Sequence, residues 1–418
     1  MRMMKTQRII GLLMILASLG VGYQIVNAWR GKVLAQRAYS REAFLDAAQA
    51  DPLNPEPFYK LGLLHQWNLL RVDMKESNQY LQMAIKRNPL DQEYWLNLAK
   101  GLFRDGDERA GERALKNAIT VFPTSYQGRW ITGNLLLQQG DVEGALAHFN
   151  YILAQYPNQS RLVYEVWEMA ANDPDFILEK LVPKDPISLT QYLNYLYDSR
   201  DKKSAVHVWN LKASLGQKVS RDETLRHIEF LISQKEFDEA FKVWQARLRE
   251  EGLSATDGDN LITNGGFEFD RLLGGGFDWR MSRVAGAEVS FDPSVFSEGK
   301  RALKLKFNGK ENVSFQNVYQ YVPLKPKTNY LLQAKIKTKG LTTKSGIKLE
   351  IAGTGPAFQG ASEGLTGDHD WTEVTVAFQT PADSQGGIVR VKRESTNKFD
   401  RFISGEVWID NVQLLERK

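Results

Sequence analysis

The sequence predicts a multidomain α + β protein: an N-terminal transmembrane helix, an α-solenoid of helical hairpins, and a C-terminal antiparallel β-sandwich. Three observations predict it. The 20 residues Ile9–Ala28 carry no charge. Pro52, Pro89, Pro123 and Pro157 recur at intervals of 37, 34 and 34 residues through an apolar pattern of helical spacing. From Asn260 onward the apolar period changes from helical to two.

At 418 residues the chain is too long for one ordinary core. Its net charge of +4 lies wholly beyond Asn260, where 22 Lys and Arg face 18 Asp and Glu. An excess so small and diffuse excludes a nucleic-acid binder. The chain has no cysteine, so it has neither disulfides nor thiolate metal sites, and this suits a compartment such as the bacterial periplasm.

Residues 1–8 hold Arg2, Lys5 and Arg8, and residues 9–28 form the uncharged run. Twenty helical residues span about 30 Å, the thickness of a bilayer's hydrocarbon core. Basic residues before the run favour a cytoplasmic amino end. A single-pass anchor in the inner membrane is therefore expected, with the bulk of the chain in the periplasm. A cleaved signal peptide is the alternative, because Val26-Asn27-Ala28 offers a peptidase small residues.

Residues 35–157 carry the repeats, opened by a lone helix over Ala35–Ala50. A small residue follows three of the prolines by ten positions: Gly62, Ala99 and Gly133. Two helical periods lie between successive prolines, as in Trp95/Leu98/Leu102 and Leu115/Ala118/Ile119. Asp105-Gly106-Asp107 and Gly140-Asp141 supply a helix stop followed by an N-cap. Proline then closes the second helix, since it cannot continue the hydrogen-bond ladder.

These residues resemble the tetratricopeptide repeat family, with Trp95, Leu98, Ala99, Leu102, Leu115, Ala118 and Pro123 on its signature positions. Gly111 and Ser77 depart from the alanine usual in the second helix, and the first unit has about three extra residues near Leu69–Asp73. The resemblance implies a protein-binding scaffold whose first helices line a groove. Asn97, Lys100, Arg104, Trp130, Asn134 and Gln138 are its candidate lining, suited to a peptide backbone or carboxylate. The other reading of these side chains is an ordinary solvated face.

Residues 158–250 continue as degenerate hairpins, with Leu193/Leu196 before Ala205/Val208/Trp209 and Ile228/Leu231 before Phe237/Ala240/Trp244. A polar linker over 251–259 follows. Across 260–418, period-two runs at Ala302–Phe307, Tyr330–Thr338, Lys348–Ile351, Glu373–Phe378 and Val389–Lys392 are separated by Gly- or Pro-containing turns. The domain opens on Asn264-Gly265-Gly266-Phe267-Glu268 and closes on Val407-Trp408-Ile409-Asp410-Asn411-Val412.

That order of motifs resembles the galactose-binding-like jelly roll of carbohydrate-binding modules, in the group of families four, nine and twenty-two. The resemblance implies polysaccharide binding, for which aromatic faces and planar polar groups are needed. Phe277, Tyr319, Tyr321 and Phe358 are the candidate faces, with Gln316, Asn317, Arg390 and Arg393 as polar partners; each aromatic has core packing as its alternative. Trp279, Trp371 and Trp408 fall at packing positions of that family. Glu268 and Asp410 match positions where related modules hold a structural calcium. Lys335, Lys337 and Lys339 alternate on one strand and Lys304 with Lys306 on another, where they keep strand edges from pairing or meet an anionic surface.

No other cofactor is implied. Gly360-Ala361-Ser362-Glu363-Gly364 fits G-x-S-x-G only formally, because it lies in a loop of a β domain. The five histidines have no zinc spacing. Nothing in the chain demands an enzyme. The expected function is a membrane-anchored scaffold binding protein through its repeats and polysaccharide through its sandwich, in exopolysaccharide or cell-envelope assembly or export. The alternatives are a protein-interaction or oligomerisation subunit without glycan binding, and a glycan-active enzyme with a targeting module.

Overall fold

The computed structural model describes residues 2–37, 40–67, 72–253 and 259–417, without the side chains of 2–13, 15, 35 and 37. The extra residues expected near Leu69 and most of the 251–259 linker lie outside that description. The chain forms two compact units, Met1–Ser199 and Arg200–Lys418.

The first unit is helical: α1 (Arg2–Arg37), α2 (Arg41–Ala50), α3 (Glu56–Trp67), α4 (Met74–Arg87), α5 (Gln92–Arg104), α6 (Glu108–Val121), α7 (Tyr126–Gln138), α8 (Val142–Gln155), α9 (Ser160–Ala171), the short α10 (Pro174–Phe176) and α11 (Pro186–Ser199). The expected span Ile9–Ala28 lies inside α1 but begins on undescribed side chains. Among the described residues no helix is long and apolar enough to cross a membrane. Leu19, Tyr23 and Trp29 of α1 are exposed.

The hairpin signals hold in detail. Gly106 and Gly140 take φ of +84° and +81°, and the aspartates after them cap α6 and α8 by accepting from Ala110 N and Gly144 N. A Cβ on Gly62 would stand 2.6 Å from Leu81, and one on Gly133 2.9 Å from Phe149. Only glycine lets those helix pairs approach so closely. The two departures from the family pattern have physical reasons. Ser77 donates its hydroxyl to the Gly62 carbonyl across the hairpin at 2.8 Å, and Gly111 makes room for the Phe103 ring.

The second unit joins three helices to the sandwich: α12 (Lys202–Ser214), α13 (Arg221–Ser233) and α14 (Phe237–Glu250). The strands are β1 (Arg280–Met281), β2 (Ala287–Asp292), β3 (Ala302–Asn308), β4 (Phe315–Pro323), β5 (Asn329–Leu341), β6 (Lys348–Gly353), β7 (Gln359–Ala361), β8 (Gly367–Gln379), β9 (Gly386–Arg393) and β10 (Ser404–Arg417). They make two five-stranded antiparallel sheets, ordered β1-β4-β9-β6-β7 and β2-β3-β10-β5-β8. Alternate residues such as Leu303, Leu305, Leu332, Ile336, Val389 and Val391 fill the core between them.

Three of the alternating lysines are paired on the outer face of the second sheet, while Lys306 and Lys339 are exposed. Lys335 pairs with Glu298 at 3.1 Å, Lys337 with Asp370 at 2.7 Å and Lys304 with Glu406 at 2.9 Å. Ser362 bonds the Leu349 amide and the Glu363 carbonyl, while His369 is held by Thr366, so the formal G-x-S-x-G match is the end of β7 and the turn after it, in ordinary contacts.

Candidate binding surfaces

The outer face of the sheet β1-β4-β9-β6-β7 is polar, and its register sets out the side chains in rows. One row runs Arg280, Tyr319, Arg390, Glu350, Ala361; the next runs Tyr321, Ile388, Ala352, Gln359. Glu350 has no accessible surface. Arg390 donates to it through Nε at 2.6 Å, Lys392 at 2.7 Å, and Gln359 also donates. Burial would push its carboxyl up, yet these donors outweigh it and hold Glu350 below the usual carboxylate range. Arg390 also donates to Gln316 at 3.1 Å, and Asn317 to Ser282 at 2.9 Å. This network keeps the planar groups upright beside the partly open Tyr319 ring.

A neighbouring pocket of about 320 Å³ is lined by Tyr319, Arg280, Met281, Ser282 and the loop Arg271–Trp279. Asp278 lies in that loop with both oxygens spent on the amides of Leu272, Leu273 and Gly274.

Not every candidate face is available. Phe277 has no accessible surface, because its ring is wedged against Phe241 and Trp244 of α14 at 5.0 and 6.1 Å. Tyr321 lies under the Arg280 guanidinium at 4.9 Å and beside Phe237 at 6.0 Å. Phe358 stacks on Phe378 at 5.8 Å against the core. Arg393 is fully buried; it donates to the carbonyls of Val313, Ser345 and Arg401 and to Asn312, so it is a brace and has no surface for a sugar. Trp279 and Trp408 are buried, as their packing positions imply, and Trp371 is half-buried.

The sequence did not disclose Glu350, which anchors Arg390 and Lys392 from a separate strand. Nor did it disclose Glu229 of α13, which accepts from Arg280 at 2.5 Å and from the Gly276 amide at 2.7 Å. Phe237 and Phe241 beside the Ala240/Trp244 stripe were the available signal, since they add apolar surface beyond what a two-helix hairpin needs.

The two ends of the sandwich meet as expected. Asp410 is fully buried and accepts from the amides of Ser297, Glu298 and Asn411 at 2.8, 3.0 and 2.8 Å, while Glu268 accepts from Lys300 at 2.9 Å. A Cβ on Gly266 would lie 3.8 Å from an Asp410 oxygen and 3.9 Å from a Glu268 oxygen, so both carboxylates face one small region. Burial, with the nearby Glu268 charge adding to it, raises the Asp410 carboxyl above its ordinary value despite the three amides. Among the described residues no group of three or more His, Cys, Asp or Glu is placed to hold a metal.

In the first unit, Asn97 is buried and bonded to the Tyr59 hydroxyl and the Glu93 carbonyl, each at 3.0 Å. Lys100 reaches Asn97 at 3.4 Å, and burial lowers its pKa. Arg104 bonds the Gln66 carbonyl at 3.3 Å and stands over the exposed Trp67 ring at 5.5 Å. These three candidates therefore converge on one patch. Trp130 packs on Tyr126 and Phe149, Asn134 bonds the Trp130 carbonyl, and Gln138 is exposed.

Residues 259–398 match the family of carbohydrate binding domains, and residues 96–160 match the tetratricopeptide repeat family. A tRNA(Glu)-specific nuclease WapA of Bacillus subtilis subsp. natto is 26% identical over 163 residues, covering 37% of this chain. The chain spans only 7% of that relative's length. Among solved structures, a Family 16 Carbohydrate Binding Module-2 is 24% identical, with 38% of this chain and 100% of that one covered and a TM-score of 0.28. MamA is 16% identical, with 42% and 85% covered and a TM-score of 0.26. The chain thus matches two family models on separate segments, tetratricopeptide repeat in its helical half and carbohydrate binding domain in its sandwich.

Proposed function

We propose that this protein is a non-catalytic, membrane-anchored scaffold that binds a protein partner through its repeats and a polysaccharide through its sandwich, facing the periplasm in exopolysaccharide or cell-envelope assembly. The observation that carries the glycan half is the row Tyr319–Arg390–Glu350, where an aromatic face stands beside a held guanidinium and amide. An apolar ring face with adjacent fixed donors is what a sugar ring requires. Lys100 and the exposed Arg104, standing beside the buried Asn97, support peptide capture by the repeats. The uncharged run Ile9–Ala28 after three basic residues supports the anchor.

A glycan array probed with the purified full chain tests the reading. Binding is expected, and Tyr319→Ala should lower affinity for the bound glycan at least about tenfold, or about 1.4 kcal/mol. A folded chain that binds nothing would favour a second reading, a protein-interaction subunit. One observation favours that reading: the sandwich already gives Phe277 and Tyr321 to helix packing.

The Glu268–Asp410 pair fits a structural calcium, completed by backbone carbonyls and water, because the two carboxylates face one small region and burial raises the pKa of Asp410. A carboxyl whose pKa is raised on folding stabilises the fold below its unfolded pKa and loses that contribution as pH rises through the folded value. Added calcium should therefore raise the melting temperature at neutral pH, and Asp410→Asn should abolish the increment. A melt indifferent to calcium and chelator would remove the ion.

A further inference from the structure

We infer that the sandwich recognises the terminus of a glycan, one or two sugar units, and does not grip the interior of a chain. This rests on the carbohydrate reading above and adds to it what the helices of the same unit do to the surface. The row Arg280–Tyr319–Arg390–Glu350 would be open at its β1 edge if the loop before β1 were free. Instead Phe277 of that loop is buried between Phe241 and Trp244. A Cβ on Gly276 would lie 3.0 Å from both Ile228 and Trp244. Glu229 then binds the Gly276 amide at 2.7 Å and Arg280 at 2.5 Å.

The loop is thus nailed to α13 and α14 at three successive points and stands as a wall beside Tyr319. The next row is narrowed at its Tyr321 end, where Phe237 lies so tightly on Gly386 that a Cβ there would overlap its ring and Arg280 and Phe237 leave Tyr321 half-buried. On the β1 side what remains is the Tyr319 face, the Arg390 and Gln316 groups, and the pocket of about 320 Å³ behind them. That volume is at the lower end of the roughly 300–1,000 Å³ typical of small-ligand pockets. Arg280 lines that pocket with its guanidinium already held by Glu229 and the Gly276 carbonyl, which fixes the wall on that side.

The test measures affinity of the full chain for gluco-, xylo-, manno- and galacto-oligosaccharides of one to six units. It adds the parent polymers before and after partial acid hydrolysis. For whichever series binds, affinity should level off by the disaccharide or trisaccharide, and polymer binding at equal mass should rise in proportion to the number of ends. In Glu229→Ala, whose substituted side chain is partly exposed, the freed loop should let tetra- to hexasaccharides gain at least fivefold over the disaccharide. Wild-type affinity that climbs more than tenfold from two to six units would overturn end recognition and leave the carbohydrate reading standing. A folded chain that binds no oligosaccharide and no polymer would overturn both.

Discussion

Trp244→Ala is expected to destabilise the unit Arg200–Lys418 by about 3–5 kcal/mol, the range for emptying a core site of a large aromatic. Trp244 has no accessible surface, packs beside Phe277 of the β1 loop, and touches the position of Gly276. Its indole N–H has no hydrogen-bond partner among the described residues, so its contribution is apolar. Trp244→Phe should therefore retain most of the stability. Denaturant unfolding followed separately by far-UV circular dichroism and by tryptophan fluorescence checks this. Both signals should shift together to a lower midpoint in the alanine variant, because the helices and the sandwich share this contact. A sandwich transition that stays where it was would mean that α13 and α14 add nothing to its stability.

Arg393→Ala should cost about 3–5 kcal/mol as well, for a different reason. Its guanidinium holds the carbonyls of Val313, Ser345 and Arg401 together with Asn312, all in buried or half-buried surroundings. Each buried acceptor left without a donor costs about 1–3 kcal/mol. Arg393→Lys recovers little, since an ammonium cannot reproduce the planar fork. Thermal melts read the loss. Glycan affinity of the fraction that remains folded should equal the wild-type value, because Arg393 has no surface for a sugar. A selective loss of affinity with an unchanged melt would return Arg393 to the binding surface.

Arg390 and Arg393 lie three residues apart and have opposite fates. Period-two alternation would separate their faces, but β9 runs to the end of the sheet, and Arg393 is drawn into the loops around Asn312, Thr343 and Arg401. Nothing near Arg393 in the chain announces those partners. The aromatics teach the same lesson. Trp279 and Trp408 packed as family positions imply, whereas Phe277 and Tyr321 were claimed by α14, more than thirty residues upstream. The lysine strands differ again: their alternation was legible, and their acidic partners on β8, β10 and the loop at Glu298 became visible only in the folded sheet.

The sequence by itself determined the helical hairpins, their Gly-Asp turns and caps, and the strands whose apolar residues alternate. Each depends on interactions within a few residues, where glycine geometry, aspartate capping and side-chain period act directly. Only the tertiary structure decided that α12–α14 group with the sandwich, that Glu350 lies buried under Arg390 and Lys392, and that a loop braced by Glu229 walls the Tyr319 surface. Those outcomes depend on pairings between distant segments, and residue type and spacing carry no record of which distant partner a side chain will meet.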